Sequence, residues 1–452
     1  MRRRGLSLTE GSIGVNLFRL ALPIILTSLM SILYNLTDIK FISSYLGDDS
    51  VSSATAASFY ISLSYALLFI TKNSAQIYVA QSIGANRKNS AKRYARVSLI
   101  ISVVFSLIYG LFTYIFAEYL IRMVGVKSPN YLYPAVDFLR ISSFGFTFLF
   151  LSQNLSAIIN GEGDTLGPFI FLSSGVILNI FLDYIFLGIF PFGIKGAAIA
   201  TVFSQLLSVI FLFLYLKRRN SVFRNMKFFK LDDLKYYRKI IRLGLPSGIS
   251  QALFTFISII IAKMIADVDE SILGVQRLGI QFESFSWNIA GGFAAAVATF
   301  IGHNYGAGKY DRILKIYKVS IMSISGFCLI LTAIFVFFAR PLYSMFFTDT
   351  KLIEEGVKYL TIIGLAQIPQ GIEIITTGAF NGVGKTKEPN IIGIVGTSLR
   401  IPIIMITLPI FGLLAIWWTI HFSMVFKGIV SIVVFIIAWK KQMEFMKITL
   451  EI

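Results

Sequence analysis

Arg19-Leu-Ala-Leu-Pro23 returns as Arg242-Leu-Gly-Leu-Pro246, Ile83-Gly-Ala-Asn-Arg87 as Tyr305-Gly-Ala-Gly-Lys309, and Asn160-Gly-Glu-Gly-Asp-Thr165 as Asn381-Gly-Val-Gly-Lys-Thr386. The offsets are 223, 222 and 221 residues. Three motifs kept in one order and one spacing mark a duplication. What is duplicated follows from the stretches between the motifs, which are long, apolar and almost free of charge.

Of 452 residues, 56% are apolar and only 14% charged, against about 25% charged in a globular domain. Splitting the apolar runs at their charged or Gly/Pro-rich breaks predicts helices at 15–46, 52–81, 92–123, 131–158, 166–189 and 196–216. A second six lie at 238–266, 272–302, 312–347, 353–380, 389–410 and 413–439. Each reaches the roughly 20 residues that a bilayer requires. A β-barrel would need alternating segments of about ten residues, and these runs are continuous. After Met1–Gly5 with Arg2, Arg3 and Arg4 comes a long apolar run without a small-residue cleavage site, which predicts an uncleaved first helix.

Charge gives the topology. The formal net charge of +18 would point to nucleic acid in a soluble chain; here the lysines and arginines gather on one set of loops. The loops facing the other way hold only Arg122, Lys127, Lys195, Arg340, Lys351 and Lys358, together with the acidic turns Gly47-Asp48-Asp49 and Asp267-Val268-Asp269-Glu270. By the positive-inside rule both termini are cytoplasmic and the helix count is even. Six-helix units of the same direction are related by an axis along the membrane normal. The fold class expected is therefore all-α integral membrane, with twelve transmembrane helices in two pseudo-symmetric six-helix lobes at 1–216 and 238–452. A basic cytoplasmic linker at 217–237 joins them, solvated and drawn to lipid headgroups rather than to nucleic acid. Two lobes facing across a cavity form the architecture of an alternating-access transporter.

With one cysteine, Cys328, and two histidines, His303 and His421, neither a disulfide framework nor a multi-Cys/His metal centre is available. The chemistry must come from intramembrane charge, which costs at least about 2.5 to 3.5 kcal/mol at a helix centre unless it has a partner, a cavity or a task. Glu118 with Arg122, Asp137 with Arg140 and Lys263 with Asp267 stand three or four residues apart and are expected to pair. Arg277, Arg400 and Lys427 lack such partners, and so do four acids, Asp38, Asp183, Glu283 and Glu373.

Asp38 lies 15 residues beyond Pro23, and Asp183 lies 15 beyond Pro168. At 1.5 Å per residue this puts both about 22 Å along outward-running helices, at one depth in the outer half. Lys40, two residues from Asp38, points to another face. Asn179 is one turn before Asp183, and Thr201 belongs to the sixth helix. Carboxylate, amide and hydroxyl oxygens suit a bare alkali cation, or two acids sharing a proton; the alternative is local hydrogen bonding in a packed bundle. The repeat sets Asp38 against Ile261, Asp183 against Ile404 and Asn179 against Arg400. The second lobe keeps the scaffold without the cluster, as expected if one lobe is specialised for the driving ion. Tyr34, Asn35, Gln153, Asn154, Glu283 and Glu373 are candidates for the wall of the substrate cavity, the two glutamates having a plain buried reading as well.

Several stretches resemble the MATE family, the multidrug and toxic compound extrusion transporters: Leu20-Ala-Leu-Pro23, Tyr34-Asn-Leu-Thr-Asp38, Gly161-Glu-Gly-Asp-Thr165, Leu178-Asn-Ile-Phe-Leu-Asp183, Gly196-Ala-Ala-Ile-Ala-Thr201, Leu243-Gly-Leu-Pro-Ser247 and Gly302-His-Asn-Tyr-Gly-Ala307. The resemblance covers nearly the whole chain and implies a V-shaped pair of lobes exporting organic, often cationic compounds in exchange for inward H⁺ or Na⁺. It is nearest the archaeal and DinF-like branch, in which residues matching Asp38 and Asp183 couple the ion, with those matching Asn179 and Thr201 beside them. Ser156 stands where relatives have a cation-site Asn, which leaves the ion open. Phe254 and Gln370 stand where the NorM-like branch has acids, so that branch's second-lobe site is not carried over. The expectation is a monomeric, multi-pass cell-membrane transporter with no cofactor beyond the coupling ion. The rivals are a lipid or lipid-linked-sugar flippase of the same superfamily and, less favoured, an intramembrane enzyme.

Overall fold

The computed structural model describes residues 8–126, 128–190, 192–218, 221–228, 230–269 and 271–451, with the backbone alone at 48, 49 and 442–451. Arg2, Arg3, Arg4, Lys127 and Glu270, used above for topology, lie outside the described residues. Every regular element among those residues is a helix. The first half comprises α1 (Ile13–Leu46), α2 (Asp48–Gly84), α3 (Lys88–Ile115), α4 (Ala117–Met123), α5 (Pro129–Gly161), α6 (Leu166–Asp183), a π-helix (Tyr184–Ile189) and α7 (Ile194–Arg218). The second comprises α8 (Leu234–Val268), α9 (Ile272–Gly306), α10 (Tyr310–Phe337), α11 (Ala339–Ser344), α12 (Thr350–Gly364), α13 (Gln367–Val383), α14 (Lys387–Ser398), α15 (Arg400–Phe411) and α16 (Leu413–Glu451).

Eleven helical stretches are long and apolar enough to cross a membrane. The remaining span is the one predicted at 353–380, which is broken at Leu365 and Ala366 into α12 and α13. Proline is the cause: Pro369 has no N–H for the carbonyl of Leu365, four residues back, and disfavours helical geometry before it. Pro341 and Pro402 likewise stand three residues past the breaks at Phe338 and Leu399. No proline explains the break at Phe116 between α3 and α4, and we have no physical account of it.

Prolines also explain the repeated motifs. Pro23 and Pro246 sit inside α1 and α8 and deprive nearby carbonyls of their helical donors. The threonine that closes each glycine motif stands beside this turn, Thr165 at the carbonyl four residues before Pro23 and Thr386 at the one three residues before Pro246. Thr165 Oγ1 donates to Arg19 O at 3.4 Å, and Thr386 Oγ1 donates to Leu243 O at 2.6 Å. Each Arg-Leu-x-Leu-Pro stretch is thus tied to its own Asn-Gly-x-Gly-x-Thr stretch.

The halves meet at the end where the linker lies, here called the basic end. Ser74 Oγ donates to Ile240 O at 2.8 Å, Gln81 Nε2 to Gly382 O at 2.8 Å, and Gln76 Nε2 to both Ala295 O and Thr299 Oγ1 at 2.9 Å. Leu17, Leu20, Ala21 and Ile24 of α1 join Ala290, Ala294, Val297 and Ile301 of α9 in one apolar core. Glycines let the backbones touch: a Cβ on Gly244 would stand 1.9 Å from Ile70 O, and one on Gly306 2.0 Å from Gln81 O. On the outer faces, Phe18, Leu107, Ile108, Leu111, Phe144, Ile177, Ile406 and Ile410 are exposed, an apolar belt suited to lipid. The chain is a multi-pass membrane protein.

Candidate functional site

Within the first half, α1 presents Tyr34 and Asp38 one turn apart, α6 presents Asn179 and Asp183 one turn apart, and α7 presents Thr201. Asn179 and Asp183 are buried and Asp38 is half-buried. With its amide nitrogen turned to the carboxylate, Asn179 donates to Asp183 Oδ2 at 3.0 Å and accepts from Thr201 N at 3.3 Å. The hydroxyls of Tyr34 and Thr201 meet at 2.8 Å. The two carboxylates are within electrostatic reach of each other, and both bear on Tyr34. Directly after Asp183 the chain widens into the π-helix, a distortion often found at functional sites.

Oδ1 of Asp38 and Oδ1 of Asp183 are buried with no hydrogen-bond partner among the described residues. Orphaned buried acceptors are rare because each forfeits its hydration without a replacement bond. Two of them on neighbouring acids are satisfied together by a proton or by a small bare cation. Tyr34, Asn179 and Thr201, with Asn35 and Gln153, line a cavity of about 140 Å³ beside the acids. Lys40 is exposed and faces a groove with Leu33, Leu36 and Phe41, and forms no ion pair with Asp38 among the described residues.

Two candidates stand apart from this cluster. Ser156 is turned to its own helix, where Asn160 Nδ2 approaches its hydroxyl at 3.5 Å. Asn154 is fully buried and donates to Thr71 Oγ1, Ser102 Oγ and Phe150 O at 2.9 to 3.0 Å, tying α5 to α2 and α3. Neither is among the cavity's lining residues: Asn154 turns toward α2 and α3, and Ser156, three residues after Gln153 and on the same face, stands one turn further along α5.

The second half encloses a larger cavity, about 370 Å³, with Glu283, Glu373, Arg400 and Lys427 in its wall beside Phe254 and Trp287. Glu283 is buried and accepts a short hydrogen bond from the Tyr359 hydroxyl. Glu373, expected to be unpaired, lies 3.4 Å from Lys427 Nζ, which was expected to lack a partner as well. Asp137 pairs with Lys195 at 3.0 Å rather than with Arg140, whose guanidinium lies over the Tyr114 ring. Lys263 and Asp267 form no ion pair among the described residues, while Glu118 and Arg122 do, at 2.8 Å. The partners that differ all come from other helices, which spacing within one helix does not reveal.

Lys72 was missed altogether. It lies in the interior of α2 and donates to Gln153 Oε1 at 2.8 Å, between the two cavities. A lone lysine in the apolar run 52–81 was the available signal. The positions that the repeat sets against the acids, Ile261 and Ile404, are buried in the second half's apolar core.

The MatE family model matches residues 23–185 and 246–406, one copy in each half. The chain belongs to the MatE family. Over 437 residues it is 26% identical to a Thermotoga maritima protein named as a probable multidrug resistance protein NorM, covering 94% of this chain and 93% of that one. It is 23% identical over 406 residues to the Staphylococcus aureus multidrug export protein MepA, covering 88% of each. Among solved structures, an outward-facing multidrug resistance MATE transporter of the MOP superfamily superposes with a TM-score of 0.90, covering 98% of this chain and 99% of that one at 21% identity. The two-lobe MATE fold is thereby shared, and this MatE chain shows the helix breaks and interlobe contacts of its own sequence upon it.

Proposed function

We propose that this MatE protein is a secondary active multidrug efflux transporter that exchanges small organic compounds for inward-moving H⁺ or Na⁺, loaded at Asp38 and Asp183 with Asn179 and Thr201 beside them. The observation that carries the coupling site is the pair of buried carboxylate oxygens without partners. The relatives' names support export of organic compounds over transbilayer movement of lipid or catalysis. The family resemblance of the Tyr34–Asp38 and Leu178–Asp183 stretches supports assignment to the archaeal and DinF-like branch.

In this reading the basic end is cytoplasmic, both termini lie there, and the protein works as a monomer in the cell membrane. Lobes 1–216 and 238–452 rock about the 217–237 linker. Contacts between the halves at the basic end then close the cytoplasmic side and leave the cavities open outward. Loading the ion removes the repulsion between two buried anions, lets α1 repack against α6, and changes the cavity beside Tyr34. One monovalent cation moving down 100 mV releases about 2.3 kcal/mol, and each tenfold gradient of a neutral substrate costs about 1.4 kcal/mol. A single ion therefore sustains more than a tenfold gradient.

The test is ethidium efflux from proteoliposomes under an imposed pH or Na⁺ gradient. Asp38→Asn and Asp183→Asn should each abolish gradient-driven efflux while the protein remains inserted. Full activity in both variants would overturn the assignment, and transport of labelled lipid in place of dye would favour a flippase.

A further inference from the structure

The second-half cavity holds a guanidinium that no other group engages fully. Arg400 is 7% exposed, and Nε donates to Ser423 Oγ at 2.9 Å. Arg400 lines the cavity, and among the described residues its two Nη groups make no hydrogen bond and it forms no ion pair. The nearby acids are engaged elsewhere: Glu373 with Lys427, and Glu283 through the Tyr359 hydroxyl. Glu283 nevertheless keeps one buried oxygen, Oε2, without a partner. Across about 370 Å³ there is thus an unfilled donor fork, an unfilled carboxylate acceptor, and an aromatic wall of Phe254 and Trp287, whose rings meet edge-on with centroids 5.9 Å apart. By the 221-residue offset of the repeat, Arg400 occupies the place of Asn179. The position that holds an amide beside the acid pair in the first half holds a guanidinium in the second.

We infer that this cavity binds zwitterionic amphiphiles, with a carboxylate or comparable oxyanion on the Arg400 fork, a cationic N–H group on Glu283 Oε2, and the apolar body against Phe254 and Trp287. The guanidinium fork matches a carboxylate in a bidentate geometry that a lone ammonium does not offer. Two acids and two bases leave the cavity near neutrality, which suits a ligand carrying both signs better than a simple organic cation. The inference rests on the export reading only for the route the ligand takes, and its binding is tested separately.

The probes are a diaminoxanthylium (rhodamine) dye bearing a free benzoate and its methyl ester, which share the ring and its N–H groups and differ in the anion. Fluorescence anisotropy is read on the purified full chain at neutral pH. The unmodified protein should bind the acid about tenfold or more tightly than the ester, the worth of a charge-assisted hydrogen bond. Arg400→Gln should erase that preference while leaving ester binding within about twofold, which also reports that the variant is folded. Arg400→Lys, which keeps the charge without the fork, should recover only part of it, and Glu283→Gln should weaken both dyes alike. Equal binding of acid and ester by the unmodified protein, or a preference that survives Arg400→Gln, overturns the inference. Proteoliposomes separate the two readings: intact preference with no gradient-driven transport of either dye refutes export and leaves this site standing.

Discussion

Gly84→Ala is expected to loosen the closed basic end and shift the protein toward a state open there. A Cβ at residue 84 would lie 2.1 Å from His303 O, where ordinary contact begins at 3.4 Å, and the neighbouring carbonyl carbon and Cα are each at 2.7 Å. All three are backbone atoms of α9, so no rotamer relieves the clash and the ends of α2 and α9 must separate by about an ångström. That motion strains the hydrogen bond from Gln81 to Gly382 and the pair from Gln76 to Ala295 and Thr299. Losing two of these at roughly 0.5 to 1.5 kcal/mol each biases the equilibrium by about 1 to 3 kcal/mol, or about 5- to 150-fold in population. The assay is a spin-label distance between cysteines placed at exposed Asn89 and Lys315, on either side of the basic end. Cys328 is buried and stays unlabelled. The distribution should gain a longer component, while Gly14→Ala, where a Cβ meets nothing within 4 Å, should not change it. An unchanged distribution with unchanged efflux in Gly84→Ala would refute the claim that these contacts hold the end shut.

Thr386→Val should lower the melting temperature in detergent by an amount equivalent to about 1 kcal/mol or more, read by thermal unfolding, and Thr165→Val should cost less because its bond is longer. Asn154→Ala should destabilise through loss of its three bonds without altering which gradient drives efflux, whereas Asn179→Ala should change the ion dependence with little effect on melting. At the far end, hydrogen bonds from Lys351 and Ser271 hold Asp269 down to about 2. That depressed value means the contribution is present above the ordinary carboxylate range and is lost as pH falls toward about 2. Lys351 is exposed and Asp269 is reached by solvent, so Asp269→Asn should lower the melting temperature slightly at neutral pH in low salt and less in high salt.

What the chain's own letters disclosed is what local physics determines. Apolar runs, loop charge and the doubled motifs specified two bundles of equal direction, and the third motif's threonine proved to be the donor for carbonyls near Pro23 and Pro246. Three of the helix breaks carry a mark in the sequence, since Pro341, Pro369 and Pro402 stand three or four residues past them. But Pro23, Pro134, Pro246 and Pro409 sit inside unbroken helices and the break at Phe116 has no proline, so proline alone does not divide the runs. Contacts between helices were not legible. Asp137 with Lys195 and Glu373 with Lys427 join residues 58 and 54 apart, separations at which a linear chain gives no rule for approach. Asn154, offered as a cavity-wall residue, is turned to α2 and α3, and its letter gave no sign of that, since a polar residue in an apolar helix looks the same whether it faces a cavity or a neighbouring helix.

The asymmetry between the halves has a physical logic. The groups that the duplication retained, prolines, glycines and the capping threonines, serve the backbone, and each half needs them to cross the membrane with its carbonyls satisfied. Side chains toward the cavities carry no such obligation. Where the first half has Asp38 and Asp183, the second has Ile261, at the edge of its cavity, and Ile404, both buried among apolar neighbours, and where the first has Asn179, the second has Arg400. A symmetric pair of acidic sites would place four uncompensated carboxylates around one opening, each adding to the desolvation cost of the others. Keeping the acid pair in one half and a balanced set of charges in the other avoids that cost.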